Sequence, residues 1–480
     1  MRMSRLSILA VTCGALTLGA CADNTVAPDQ APDSTAEVAQ FGKVAGSPAS
    51  LDDLGGRQIV VFKSQNGSPA GFEAAVEKLG GTVDAIYGSV GAAVVSGLDD
   101  SGAKALAKQK GIRDVELEPV LEMRLPEVTV DMAVSAEMIA SPTDPTDAFF
   151  WARQWNMRAI DGPAAWASGR LGSPDVTVAI LDTGIDYMHN DLAGLVDLTR
   201  SASFLPDDDE LLELIFPGAH PVADLVWHGT HVASTAVSNG YGTAGVTSMA
   251  TLIGVKVCSI FGGCPGSAIF AGIDHAIENG ADVINMSLGG WFMKKDYPGF
   301  VSVINRLVNY TNKMGVTLVV SAGNEAWDLQ HNGNWYKTYC DAPHVICVSA
   351  TAPSSSESAT SGPFYDVDDP ASYTNYGRQA ISVAAPGGDT TGWVMAACSQ
   401  FSLLASFCQS SPYWYLYASG TSMASPHVAG LAALMVEDFG RKPGRIKSKI
   451  QQSADDLGQP GVDPYYGKGR INVATAVGAN

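Results

Sequence analysis

The sequence predicts an α/β protein in which a doubly wound, mostly parallel sheet follows a small α+β unit. Three observations carry that expectation. Six apolar runs, at residues 176–181, 252–257, 283–286, 317–320, 345–348 and 380–384, are unbroken rather than alternating, as strands buried on both faces of a parallel sheet are. Helical periodicity fills stretches between several of them, as at 267–279 and 301–314, which is the alternation of a doubly wound domain. Upstream, residues 56–123 read β-α-β-β-α-β, the order of a small open sandwich.

In chain order, the N-terminus has the form of an export signal: Arg2 and Arg5 make a charged segment, and residues 6–18 an apolar one. Two processing readings are open. Ala20-Cys21-Ala22 is an A-x-A site, and Leu18-Gly19-Ala20-Cys21 has the form of a bacterial lipobox that would place a lipid on Cys21. Residues 1–22 are therefore assigned to the signal, and the polar, Pro/Ala/Asp-rich residues 23–55 to a disordered tether. Within the small unit, 56–124, residues 57–63 alternate as a strand, and 71–79 place Phe72, Ala75, Val76 and Leu79 on one helical face. Strands follow at 82–87 and 92–95 around a Gly-Ser-Val-Gly turn, then a helix capped by Asp99 or Ser101 and running to Lys110, then a strand at 114–118. Residues 125–148 are punctuated by proline and aspartate and read as a linker. The large unit takes 149–480, and no internal repeat is present.

The 480-residue chain is too long for one ordinary core, which agrees with two units. With 46% apolar and 16% charged residues its composition is globular, and a net charge of −20 argues against nucleic acid or an anionic membrane surface as partner. A lipid on Cys21 is the one membrane link expected, and the chain is expected to be a monomer. Of the eight cysteines, Cys13 and Cys21 lie in the signal; the other six allow 15 connectivities. They fall in three close pairs, so local bridges Cys258–Cys264, Cys340–Cys347 and Cys398–Cys408 are the economical pairing in an exported protein. Metal ligation is the competing reading, but no C-x-x-C pair occurs.

Four polar residues stand where strands end or helices begin. Ser422 lies in Gly420-Thr421-Ser422-Met423-Ala424-Ser425-Pro426-His427-Val428-Ala429-Gly430, before a helix expected over 424–436. A helix N-terminus offers a positive field and free N–H groups, though a cap alone also selects serine. Asp182 ends the buried run Val178-Ala179-Ile180-Leu181, where a carboxylate needs a partner. His228 opens His228-Gly229-Thr230-His231-Val232-Ala233 at a turn; His231 and His427 read as packed inside helices. Asn324 follows a strand in Ser321-Ala322-Gly323-Asn324-Glu325 and is placed to donate into a cleft, or to serve as a turn asparagine. Together they fill the roles of orienting carboxylate, base, oxyanion donor and nucleophile.

These stretches, with Ala179-Ile180-Leu181-Asp182-Thr183-Gly184-Ile185-Asp186, resemble the subtilisin-like serine proteases, or subtilases, and the order Asp…His…Ser fits them. The resemblance implies a subtilisin-like fold and a serine endopeptidase working through an acyl-enzyme on protein or peptide substrates. Catalytic roles follow for Asp182, His228 and Ser422, with Asn324 in the oxyanion hole and no cofactor for catalysis. It implies that Ser287, Leu288, Gly289 and Gly290 form one wall of the specificity pocket and Ser321, Ala322 and Gly323 the other. Small residues on both walls suggest an apolar slot for large uncharged side chains. Residues 56–124 resemble the family's inhibitory propeptide, so the chain's own first unit is its expected partner and inhibitor, with a cut near 123–125 and trimming open anywhere up to about Ala148. Since His228 must be neutral to accept a proton, activity should fall at acidic pH.

Three departures bear on calcium and shape. Asp191 matches a structural calcium ligand of many relatives, yet the loop 239–244 is shorter than the family's calcium loop. The segment between Asp182 and His228 is enlarged, and for its run Asp207-Asp208-Asp209-Glu210 two readings stand, a calcium ligand set and, in preference, a solvated loop tip. Ser234 replaces a usual glycine. The chain is expected to be exported to the cell envelope or exterior of a bacterium.

Overall fold

A computed structural model of the chain describes residues 56–125, 128–131 and 144–479. The signal segment, both processing readings at Cys21 and the tether lie outside these residues. The small unit is a four-stranded antiparallel sheet with spatial order Thr82–Tyr87, Ala92–Ser96, Gln58–Phe62, Ile112–Leu117, carrying helices Phe72–Lys78 and Asp100–Leu106. Asp99 caps the second helix, accepting from the Gly102 N–H at 2.7 Å. The alternation expected over 57–63 forms the strand Gln58–Phe62, and all five of its residues are buried. Val60 and Phe62 face the unit's own helices with Val76 and Leu106, while Ile59 and Val61 face the large unit.

In the large unit, Ala202–Ser203, Thr251–Lys256, Thr177–Asp182, Val283–Met286, Thr317–Ser321, Ile346–Ala352 and Val383–Pro386 are neighbours in that order, and every pair is parallel. Asp369–Pro370 adds one antiparallel edge. The unbroken apolar runs follow from burial on both faces: Thr177–Asp182 and Thr317–Ser321 are buried throughout. On one face the helices Gly266–Glu278 and Pro298–Lys313 pack with Phe270, Phe300 and Ile304. On the other, Thr421–Phe439 is buried all round from Thr421 to Val436, as a helix through the middle of a large core must be.

The small unit's sheet lies on the helices Gly266–Glu278 and Pro298–Lys313, and two of its carboxylates cap them. Glu116 accepts from the Gly299 and Phe300 N–H groups at 2.6 and 2.8 Å, and Glu118 accepts from the Ser267 N–H at 2.5 Å. Each negative charge meets the orphan donors and positive end of a helix. Burial pushes both carboxyls up from their ordinary range, against these hydrogen bonds.

Two expectations are corrected. The stretch 125–148 is more than a linker, because Val128–Asp131 pairs antiparallel with Tyr415–Ala418 and Pro145–Asp147 forms a helical turn. The acidic run is not a loop tip either. It occupies the first turn of the helix Pro206–Ile215, and Asp208 is buried, accepting from Ser259 Oγ at 2.6 Å and the Ile260 N–H at 3.0 Å. Asp207, Asp208 and Asp209 there complement the helix N-terminus.

Candidate active site

Asp182 is the last residue of a buried parallel strand, and His228 the first residue of helix His228–Ala236. His228 Nδ1–H donates to Asp182 Oδ1 at 2.7 Å, with both side chains buried. The Thr183 N–H also donates to Oδ1, at 2.8 Å. Donation through Nδ1 fixes the tautomer and leaves Nε2 with its lone pair. Close approach of strand and helix depends on Gly229, since a Cβ there would overlap the Gly184 carbonyl and touch Asp182 Cβ at 3.1 Å.

A residue the sequence reading overlooked holds this junction. Trp227, just before the histidine, has φ 130, a conformation costing a non-glycine residue about 1–3 kcal/mol. Asp224 accepts from the Val226, Trp227 and Thr230 N–H groups at 2.9, 3.0 and 2.9 Å, and from the hydroxyls of Thr230 and Thr183 at 2.6 and 2.8 Å. Five donors on one buried carboxylate fasten the strained turn, the helix start and the strand end together. The signal was available: an aspartate before a helix start is a capping residue.

Ser422 occupies the first turn of Thr421–Phe439, and no acceptor among the described residues takes its backbone N–H. Pro426 stands one turn on and has no N–H to give to the Ser422 carbonyl. That carbonyl accepts instead from Ser287 Oγ at 2.9 Å, and Ser287 is steadied by Ser425 Oγ at 2.8 Å and Asn285 Nδ2 at 3.0 Å. The Ser422 hydroxyl donates to the Ser287 carbonyl at 3.3 Å. A hydrogen bond from this hydroxyl to His228 would need a rotation of the serine side chain, a common feature of sites without bound substrate. Asn324 Oδ1 accepts from the Thr421 N–H at 2.9 Å and Thr421 Oγ1 at 2.8 Å. The amide orientation is thus set, with Oδ1 engaged by Thr421 and Nδ2 as the free donor end.

Ser287, Leu288, Gly289 and Gly290 follow the end of Val283–Met286, and Ser321 closes Thr317–Ser321 with Ala322 and Gly323 after it. The surroundings of Gly323 are polar: a Cβ there would meet Lys337 Nζ and Asn375 Nδ2 at 2.5 Å and Glu325 Oε2 at 2.6 Å. Lys337 and Glu325 pair at 3.6 Å. Burial pushes the Lys337 ammonium down, opposed by Glu325; the Glu325 carboxyl is desolvated too, yet Lys337 and its hydrogen bonds hold it below its ordinary value. Lys337 arrives on Trp335–Lys337, a strand the sequence reading had not assigned.

Residues 120–125 enter this cleft. Val120–Glu122 pairs antiparallel with Gly263–Pro265, Met123 N–H donates to the Gly262 carbonyl at 2.7 Å, and Leu121 lies 3.2 Å from the Cβ position of Gly290. Disulfides join Cys258–Cys264, Cys340–Cys347 and Cys398–Cys408, and the first braces the edge on which residues 120–122 pair.

The remaining expected histidines and carboxylates serve packing. His231 Nε2–H donates to the Val394 carbonyl at 3.2 Å, and His427 Nδ1–H to the Met423 carbonyl at 2.8 Å. Burial depresses these two imidazoles to about 3 and about 4. Ser234 Oγ accepts from the Ala397 N–H at 3.0 Å, tying the histidine helix to its neighbouring ribbon. Asp191, matched to a calcium ligand, accepts from the Gly242 and Thr243 N–H groups and Thr243 Oγ1, each at 2.9 Å. Donors on both oxygens take the place a cation would fill, so the residues present do not fit calcium there. Among the described residues no group of three or more His, Cys, Asp or Glu could hold a metal ion.

An α/β sheet bearing an aspartate–histidine pair, a helix-start serine and a clamped asparagine amide is the layout of a serine hydrolase. The model of the subtilase family matches residues 173–469. Thermitase from Thermoactinomyces vulgaris is 30% identical over 336 residues, covering 69% of this chain and 99% of that protein. Subtilisin E from Bacillus subtilis is 31% identical over 325 residues, covering 67% and 70%. Among solved structures, the epidermin leader peptide processing serine protease of Staphylococcus aureus superposes with a TM-score of 0.67 at 21% identity, covering 88% of this chain and 98% of that one. The chain belongs to the subtilase family and is a serine endopeptidase.

Proposed function

We propose that the protein is an exported endopeptidase made as a self-inhibited precursor, with Ser422 as nucleophile, His228 as base and then acid, and Asp182 as the carboxylate orienting it. The observation that carries this reading is the 2.7 Å Asp182–His228 bond, in a site where Thr421 clamps the Asn324 amide. In this reading Ser422 Oγ attacks the substrate carbonyl carbon while its proton passes to His228 Nε2. The oxyanion takes Asn324 Nδ2 and the Ser422 N–H, and His228 then protonates the departing amine. Water repeats the sequence on the acyl-enzyme. No step calls on a metal.

Residues 56–124 act as the inhibitor, supported by Val120–Met123 lying in the cleft as an extended peptide. The small pocket walls favour large side chains, and the Lys337–Glu325 pair behind Gly323 extends the choice to chains with a polar end. Replacing Ser422→Ala is expected to accumulate uncut precursor and abolish labelling by a fluorophosphonate. Maturation and peptide hydrolysis at the wild-type rate in that variant would overturn the assignment.

A further inference from the structure

Two strand pairings hold neighbouring stretches of this chain, residues 120–123 and 128–131, and the second lies beside the strand that leads to Ser422. Val120–Glu122 and Met123 are held along Gly262–Pro265 on one flank. On the other, Val128–Asp131 runs antiparallel to Tyr415–Ala418, with Val128 opposite Ala418, four residues before Ser422. Residues 124–127 join the two flanks. Of the bonds there, Leu125–Pro126 is a tertiary amide, and Pro126–Glu127 has its acyl side locked by the proline ring. Arg124–Leu125 is left, one residue beyond Met123, the last residue held on the first flank. The Arg124 guanidinium stands 3.5 Å from Glu122 and is close enough to Lys337, behind Gly323, to help push that ammonium down. Leu125 packs against the cluster that contains Met423.

We infer that the first cut falls between Arg124 and Leu125, and that it leaves the cleft plugged, because the new N-terminal strand Val128–Asp131 stays paired beside the serine. This rests on the self-cleavage reading above. The step is a hydrolysis: Arg124 is acylated onto Ser422 Oγ, the Leu125 nitrogen leaves with the proton carried by His228, and water releases the Arg124 carboxylate. The two products then differ in how they are held. Residues up to Arg124 become a separate chain that dilution can remove. Val128–Asp131 remains covalently part of the enzyme, so its pairing is intramolecular and keeps a high effective concentration. While it is in place, the outer edge of Tyr415–Ala418 is closed to an incoming substrate strand. Peptidase activity therefore waits for a second cut beyond Asp131.

The test follows purified full-length precursor over time, by mass spectrometry of its N-termini and by peptide hydrolysis. A terminus beginning at Leu125 is expected first, with activity rising only after a lag. Val130→Pro, which cannot sustain the strand ladder, should shorten that lag about tenfold. Independently of that variant's folding, a synthetic peptide of residues 125–131 should inhibit the fully trimmed enzyme, and a scrambled peptide should not. Activity appearing in step with the first cut, a first terminus elsewhere, or no inhibition by the peptide would each overturn the inference while leaving the triad intact. Cutting of the Ser422→Ala precursor at the normal rate would instead sink the self-cleavage reading beneath it.

Discussion

The Asn324 side chain is held by its oxygen, so its nitrogen has one direction in which to donate. Asn324→Ala should lower kcat by about 10²–10³ with little change in KM, the mark of a group acting on the transition state. Thr421→Val keeps the asparagine but removes its hydroxyl clamp, and a smaller loss of about tenfold is expected in the same assay. Asp224 gives a sharper test of positioning. Its two oxygens face only donors, so Asp224→Asn puts an NH₂ group against them and releases the strained Trp227 turn. A fall in kcat of about ten- to hundredfold is expected, with fluorophosphonate labelling of Ser422 slowed in proportion; unchanged kinetics would show that Asp224 does not hold His228 in place.

At the scale of elements, the capping carboxylates decide how firmly the small unit sits. Glu116→Ala removes two charge-assisted bonds to the helix Pro298–Lys313, and inhibition by a separately added 56–124 fragment should weaken about ten- to hundredfold. Glu118→Ala should act in the same direction through Gly266–Glu278. Most elements were legible in the sequence because their signals are local: apolar runs for the parallel strands, a three-to-four-residue period for the helices, and a serine at a helix start. What escaped depends on distant partners. Val128–Asp131 carries only a four-residue Val-Thr-Val-Asp alternation inside a stretch punctuated by proline and aspartate, and becomes a strand because Tyr415–Ala418 offers an edge. Asp207–Asp209 read as solvated until Ser259, the Ile260 N–H and Lys256 gathered around Asp208. The floor behind Gly323 was hidden for the same reason, since Lys337 lies remote from it in sequence.

Across the whole molecule, the neutral buried histidines set a response to acid. His231 and His427 have folded values of about 3 and about 4 against an ordinary 6.5. As pH falls below 6.5 the unfolded chain takes up protons first, so stability that is complete above that pH is lost toward about 4. Asp186 and Asp208, whose carboxyls burial pushes up, work in the opposite sense, so the useful readout is a difference between variants. In the inactive Ser422→Ala background, His427→Gln should flatten the dependence of the unfolding free energy, read from denaturant titrations, on pH between 6 and 4.5, by about 1.4 kcal/mol per pH unit. An unchanged slope would show that this imidazole does not stay neutral in the fold.

In the proposed reading Ser287 belongs at once to the wall that faces a bound peptide and to the mooring of the nucleophile's own carbonyl, a duty created by the missing N–H of Pro426. Recognition and reactivity are therefore wired through a single hydroxyl. An engineer who reshapes the pocket at that position also retunes the reaction rate, and selectivity cannot be adjusted there as an independent dial.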